Sequence, residues 1–547
     1  MILVRNPFLI FLGLLTLTGL PSFSQNADPG QIHGTFESYG QYYNPDSTIG
    51  APPVPEKFLF NGYSNLNYIR GNFKAGLRFE SYHNVLQGID PRYKGNGIPF
   101  RFATYTVDNL EVTVGNFYEQ FGSGLALRLF EERGLGIDNC MDGVRARFEP
   151  FRGIYLKGLI GKQRLFFNTG PGIIRGFDGE INFNELIPSW TEKKLQIILG
   201  GSFVSKFQPD ANPNLILPQN VGLSAGRFQL GYGDFQAMGE YAYKINDPSY
   251  DNNYIYNHGE AILLQLSYSK KGMAFLLGGK YIDNFSYKSD RDMAGNFLTI
   301  NFNPALVKPH TYGLMTFWPY ASQNPGEIAG QAEFLYKFKK ETLLGGKYGT
   351  DLNINYSRSQ SLDTTGRQAN ENLIAYDVEF LSPGDNIFFQ DLNIEISKKL
   401  SPKFKGTLML SYQQYDIAQI QGKAGQPDLH SYIAVLDLTY RFSEHFNIRT
   451  EAQHLYLEQD ERSWAMGLIE LNFNEKFYIA ALDQYNYGHY NPAKRLHYVT
   501  TSMGYVKNTT RITVGYGKQR AGIFCVGGIC RFVPASNGFT LAVSTSF

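Results

Sequence analysis

The sequence predicts an all-β protein, a single large antiparallel transmembrane β-barrel of the outer-membrane type. Three observations carry that expectation. Apolar and polar residues alternate along short segments through almost the whole chain, the two-residue period of a wall with one lipid-facing side and one wet side. The composition is aromatic, with 37 Tyr and 42 Phe against 3 Trp, and it holds 57 Gly. Beyond residue 24 no apolar stretch reaches the roughly 20 residues of a membrane-spanning helix. Strands closed on themselves are then the remaining way across a bilayer.

The N-terminus reads as an export signal. Arg5 supplies the positive region, Phe8 to Leu17 an apolar run, and Ser22-Phe23-Ser24 a small-x-small cleavage site. Residues 1–24 are assigned as a signal peptide and 25–547 as the barrel. The apolar run is too short to be kept as a transmembrane helix, and no Cys follows the site to take a lipid anchor. The expected location is the outer membrane of a Gram-negative cell.

The wall can be read segment by segment. Phe73, Ala75, Leu77 and Phe79 share one face while Lys74, Gly76, Arg78 and Glu80 share the other. The same split separates Val144, Ala146 and Phe148 from Arg145, Arg147 and Glu149, and Phe404, Gly406, Leu408, Leu410 and Tyr412 from Lys405, Thr407, Met409, Ser411 and Gln413. Leu195, Ile197 and Leu199 set off a weaker partner face. Ala261 to Leu266 is apolar on both sides, as a strand beneath a folded-in loop would be. Short connectors join many strands in pairs: Arg70 to Asn72, Asp108-Asn109, Pro150 to Gly153, Gly231 to Asp234, Lys270 to Gly272, Leu400 to Lys403, Ser443 to Phe446, Asn472 to Lys476 and Lys507 to Thr510. Counting between them, with both termini periplasmic, predicts an even number of strands, about 24 within a range of about 20 to 26. The first strand, near Ile32 to Tyr43, leaves no room for an N-terminal plug, which argues against a TonB-dependent transporter.

Long connections at Tyr118 to Asn139, Gln163 to Ile174, Phe207 to Gln219, Tyr287 to Pro325, Ser361 to Asp385 and Arg520 to Ser536 are candidates for extracellular or lumen-filling loops. The densest is the first, where glycines at 115, 122, 124, 134 and 136 permit turns and Tyr118, Glu119, Arg128, Glu131, Glu132 and Arg133 offer charges and an aromatic face. It reads as a lumen constriction or ligand shelf, with a structural plug pinned by its own salt bridges as the alternative. Lys74, Arg78, Arg101, Arg145 and Arg147, with Lys157, Lys162 and Arg164 beyond them, are candidate lumen charges that would bias a pore toward anions. Glu80, Glu111 and Glu149 would offset part of that field.

Cys525 and Cys530 flank Gly527-Gly528 and are expected to form a disulfide in an oxidising compartment. That loop holds no His or carboxylate, so no metal site is assigned. Cys140 reads as an unpaired small residue, with pairing to the last loop as the alternative. The nine His are scattered, and neither HExxH nor GxSxG occurs. No catalytic residue and no cofactor are assigned, and the protein is not expected to be an enzyme. A net charge of +1 removes the electrostatic case for nucleic acid.

The final strand alternates Phe539, Leu541, Val543, Thr545 and Phe547 against small polar residues. Its terminal Phe resembles the signal by which outer-membrane barrels are recognised for insertion, so Phe539, Leu541, Val543 and Phe547 are the candidate assembly signal, read by the barrel-assembly machinery. Through GNFYEQFGSGL, RLFEERGLGIDN, CVGGICRFVPASNG and this strand, the chain resembles an uncharacterised family of Bacteroidota outer-membrane barrel proteins. The resemblance implies a fold and a location but no reaction. The expected function is a porin-like or substrate-selective channel for small solutes. The alternative is a closed barrel acting as a scaffold or accessory subunit of an outer-membrane assembly or secretion complex, with outer-membrane lipid and envelope proteins as partners.

Overall fold

The computed structural model describes residues 29–547 except 365–368, 371–372, 375, 377 and 527–528. The segment assigned as a signal peptide lies outside the described residues. Twenty-four antiparallel strands form one closed sheet. The first, Gln31–Tyr43, pairs with the second, Phe58–Arg70, on one edge and with the last, Ser536–Ser546, on the other. Between those ends every wall strand pairs with its neighbours in wall order, so the barrel runs up and down without crossovers.

The predicted faces hold. Leu77, Val144, Phe148, Leu195, Leu199, Leu408 and Leu410 are all exposed on the outside, whereas Arg78, Glu80 and Arg145 are buried within. Outside, rings meet across strands at two levels. One level, near the short turns, links Phe404, Tyr440, Phe442, Phe446 and Phe473 in a chain of ring contacts and continues with Phe477 on Tyr505. The other pairs Tyr412 with Tyr432, Tyr485 with His497 and Tyr516 with Phe539. Tyr432 and Tyr440 mark both levels on a single strand, roughly 27 Å apart along it. That interval, once the strand tilts, matches the apolar band of a membrane barrel with its aromatic girdles.

All nine predicted turns lie on one rim. Gly71 and Gly272, at φ +53° and +85°, supply the positive φ that tight hairpins of this hand require. Two connections on this rim are longer than the sequence suggests. Residues 183–194 carry a helical turn, Phe183–Leu186, whose N-terminus is capped by the Asn182 side chain on the Asn184 N–H. Residues 339–349 form a lysine-rich loop between Gly326–Phe338 and Thr350–Leu362.

The opposite rim carries the long loops, with one correction. Gln163 to Ile174 is mostly wall, because Ile154–Leu165 and Asn168–Asn182 run on as paired strands and turn at Phe166-Phe167. Gly170 and Gly172 break the alternation because the interior loop presses on them. A Cβ at Gly172 would sit 2.0 Å from the Ser289 carbonyl oxygen.

Two of the loops fold inward. Residues 118–140 and 284–325 bury Phe121, Leu125, Leu127, Phe285, Tyr287 and Ile300 against inward-facing Val204, Leu223, Ala261, Leu263 and Ile282 of the wall. This accounts for the doubly apolar segment at Ala261 to Leu266: Leu264 and Leu266 are exposed on the outer face, and Ala261 and Leu263 meet the loop. The second loop then crosses to the far wall, where Leu314, Met315, Phe317 and Trp318 pack on Met409, Ile433, Leu455 and Trp464.

The seam closes on Phe547, whose N–H donates to the Gly34 carbonyl at 3.0 Å and whose carbonyl accepts from the Gly34 N–H at 2.9 Å. Its ring covers Gly34 so closely that a Cβ there would lie 2.2 Å from it. Deleting Phe547, or substituting Gly34→Leu, is expected to lower the yield of heat-modifiable folded barrel. Normal yield and migration of both variants would show that the seam tolerates loss of this contact.

Candidate functional site

The inward loops and the wall residues that hold them form the candidate site. At its head, Arg78 and Glu80 come from the strand Phe73–Asn84 and Arg164 from Ile154–Leu165, while the 118–140 loop brings Tyr118, Glu131 and Asp138. Arg78 donates to Glu80 at 2.7 Å and Glu131 at 2.8 Å, and also to Asp138. Arg164 takes both Glu80 oxygens, at 2.6 and 2.8 Å, and Asp138 at 2.6 Å. Burial opposes the charge of Asp138, but Arg164 and Arg78 hold its carboxyl below the usual carboxylate range. Tyr118 donates to Asp138 at 3.0 Å and stacks on Phe100. Arg133 bridges Glu131 and Glu37, both within 2.8 Å, and lies over the ring of Tyr63.

Glu80, Glu131 and Asp138 each place a carboxylate oxygen within 4.8 Å of the others, a spacing that can suit a metal ion. Here two guanidinium groups already occupy that space, so the cluster works as an ion-paired knot. A second grip lies deeper: Glu119 meets Arg147 at 2.8 Å, Lys157 at 3.3 Å and Arg145 at 3.6 Å, and Arg145 also reaches Glu111. Arg128 pairs with no acid among the described residues; its guanidinium lies 4.0 Å over the Phe302 ring and joins the two inward loops. Glu132 accepts from the Gly134 N–H within its own turn.

Of the candidate lumen charges, Arg78, Arg145 and Arg147 face inward and are spent on the loop. Lys74 faces inward over the Phe102 ring. Arg101 does not face the lumen. It sits opposite Leu77 on the outer side and pairs with Asp142 at 3.2 Å, because Phe100 and Phe102 turn inward as platforms for Arg78 and Lys74. Lys162, opposite Asp142, shares that outer side.

The second inward loop is latched at many points that the sequence did not single out. Its neck closes through Asn284 and Phe285 N–H groups donating to Pro325 and Asn324. Lys280, fully buried, pairs with Glu327 at 2.5 Å and donates to the Pro304 carbonyl and Ser322. Lys206 pairs with Asp247 and donates to the Lys288 carbonyl. Across the lumen His310 meets Asp391 at 2.7 Å, and the Leu314 N–H donates to Gln453. The sequence signal for these contacts was the presence of lysines at 206, 244 and 280 beside wall positions that are apolar where water should be.

The last long loop is a hairpin, Gly522–Val526 with Ile529–Val533, bridged by Cys525–Cys530. It lies over the other loops, with Asn296 donating to the Cys530 carbonyl and Arg531 to the Gln87 carbonyl. Cys140 is unpaired and buried, and burial pushes its thiol well up, which keeps it protonated and inert.

Substituting Arg164→Met leaves Glu80 and Asp138 buried with one of their two guanidinium partners and is expected to cost about 3–5 kcal/mol. Thermal unfolding of the folded barrel reads it, and a loss below about 1 kcal/mol, the scale of an exposed pair, would show that the knot is not holding the loop. The lowered pKa of Asp138 means that its contribution is complete above the unfolded value near 3.9 and is lost as pH falls through the folded value. Protease protection of 118–140 should therefore persist at pH 5 and fail only in stronger acid.

No curated protein matches the chain. Among solved structures, the translocation pore of the P pilus usher (PapC) matches with a TM-score of 0.43 at 8% identity, covering 94% of this chain and 99% of that one. The siderophore receptor PirA from Acinetobacter baumannii matches at 0.44 and 10% identity, over 96% of this chain and 81% of that one. A mutant of the ferric enterobactin receptor (PfeA) from Pseudomonas aeruginosa matches at 0.42 and 11% identity, over 94% and 80%. At such identities and scores the architecture rests on the strand register described above. The chain belongs to the family of unknown function DUF6029, whose model matches residues 5–547.

Proposed function

We propose that the protein spans the outer membrane as a barrel that is closed at rest and serves as a scaffold or accessory subunit at the cell surface. The observation that carries this reading is the 284–325 loop, which crosses the interior and buries apolar residues on both walls. Porin-like conduction with anion selectivity needs solvated cations along an open path. Here Arg78, Arg145 and Arg147 are each paired with acids, including those of the inward 118–140 loop. Short turns and both ends of the barrel on one rim support a periplasmic placement for that rim, which leaves the disulfide-bridged hairpin and the loops around it as the outward platform. In this reading the chain is exported by its N-terminal segment and inserted by the barrel-assembly machinery through the strand ending at Phe547.

A substrate-selective channel is the second reading, and one observation favours it. Near the turn rim the inner face is polar, with Gln236, Gln265 and Ser269 on adjoining strands open to water, so displacement of the loop would leave a wet path.

Planar-bilayer recording separates the two. Folded protein is expected to show no steady conductance, whereas replacing residues 287–322 by a short Gly-Ser link should open a large and lasting one. Steady, ion-selective conductance from the unaltered protein would overturn the closed-barrel proposal in favour of the channel.

A further inference from the structure

The turn rim carries a patch that the closed-barrel reading does not use. Between Gly326–Phe338 and Thr350–Leu362, the 339–349 loop exposes Leu343 at 98% and Leu344 at 59%, and Leu400 in the next turn is 53% exposed. The loop itself carries Lys339, Lys340, Lys347 and one acid, Glu341, and the adjoining strand end brings Lys398, none of these lysines in a described salt bridge; Lys399 takes an inner-face register position and Lys403 donates to the Phe442 carbonyl. Asp351 nearby is already paired with Lys337 at 3.0 Å.

The loop folds toward the lipid side of the wall. Lys398 sits opposite Gly406, on the outer face, and its Nζ lies 3.5 Å from the Leu344 carbonyl oxygen. Thr350 Oγ1 donates to the same carbonyl at 2.8 Å. Lys347 and Lys399 flank the Tyr348 ring, at 5.8 and 5.5 Å. Directly beyond lies the outer aromatic ladder of Phe334, Tyr336 and Phe338. The leucines thus sit just past the edge of the apolar band, at headgroup depth, with the ammonium groups beside them.

From this juxtaposition we infer that the 339–349 loop, with the Leu400–Lys403 turn, is a binding site for anionic glycerophospholipid of the periplasmic leaflet. The leucines enter the upper acyl region, and the lysines, stems along the apolar surface and heads toward water, take the headgroup phosphates. This rests on the membrane-spanning placement proposed above. A neutral lipid would cover the leucines but leave the lysines uncompensated, and an acidic protein in the periplasm would compensate the lysines but leave the leucines in water. Anionic lipid satisfies both.

The test uses the full-length barrel in vesicles of equimolar phosphatidylglycerol and phosphatidylcholine, with the phospholipid that remains bound after extraction measured by mass spectrometry. The expected result is enrichment of phosphatidylglycerol, falling toward parity when Lys339→Gln, Lys340→Gln, Lys347→Gln, Leu343→Ser and Leu344→Ser are combined. A lysine near an anionic surface is worth about fivefold in partition, so Lys340→Glu alone should reduce the enrichment in the same direction if the combined variant fails to assemble. Equal retention of the two lipids by the unaltered protein, or enrichment unchanged in the variants, would overturn the site. Capture of soluble polyglutamate with equal retention of both lipids would assign the patch to an acidic protein and would also overturn it. Failure of the folded barrel to enter vesicles at all would instead remove the membrane-spanning reading.

Discussion

A wall immersed in lipid has no water to offer its backbone, so every N–H and C=O must find its partner in a neighbouring strand. The pairing of Gln31–Tyr43 with Ser536–Ser546 is the point at which that demand is finally met, because only there does an open sheet lose its last two edges. Closure joins opposite ends of the chain and explains the tight fit of Phe547 on Gly34. It also creates the second problem of the structure. A closed sheet of 24 strands encloses a wide interior, and this chain fills part of it with its own loops.

How they fill it follows from what an inner wall has to be. Before the loops dock, that face lines a water-filled cavity and is polar, as in other membrane barrels. The loops therefore meet a surface of arginines, lysines and carboxylates and must answer charge with charge. Arg78 and Arg164 of the wall close on Glu131 and Asp138 of the loop, and Lys280, paired with Glu327 within the wall, donates to the Pro304 carbonyl and to Ser322 of the loop. Where the loops bring apolar side chains, the wall beneath has exchanged its polar residues for Val204, Val221, Leu223, Ala261 and Leu263. Wall and loop are complementary in charge around Phe73–Asn84 and Ile154–Leu165 and in hydrophobicity from Leu195–Phe207 to Gly259–Lys270.

The same physics decides what could be read in the sequence. Lipid outside and water or ions inside impose a period of two, so strand number, turn positions and the faces of Phe73 to Glu80 were legible. Arg101 breaks the rule that charge marks the inner face. The register is instead set by Phe100 and Phe102, aromatic residues that turn inward to carry Arg78 and Lys74. The stretch from Gln163 to Ile174 resembled a loop because Gly170, Pro171 and Gly172 interrupt the alternation. Its glycines are there for close approach of the interior loop, a long-range contact that no local pattern records. The 118–140 cluster was found by its density of charge, while the grip on 284–325 was not, since Lys206, Lys280, His310 and Asp391 lie far apart in the chain and meet only in the closed barrel.

Buried ion pairs give little net stability over apolar packing, yet removing one partner is severe because the other is left charged in a dry place. A loop held by such pairs has few favourable intermediate positions: a small displacement breaks the short contacts of Glu131 and Asp138 before water can replace them. Apolar contacts such as Phe285 and Ile300 against Leu263 and Ile282 are more forgiving and supply the bulk of the burial. Together they make docking strongly held and all-or-none, favouring a single seated position over a floating constriction. An open pore that sorts ions needs the opposite arrangement, with charges solvated and loops clear of the axis. It is the allocation of the inner charges to the loops, more than the width of the barrel, that supports the proposed closed barrel over a porin.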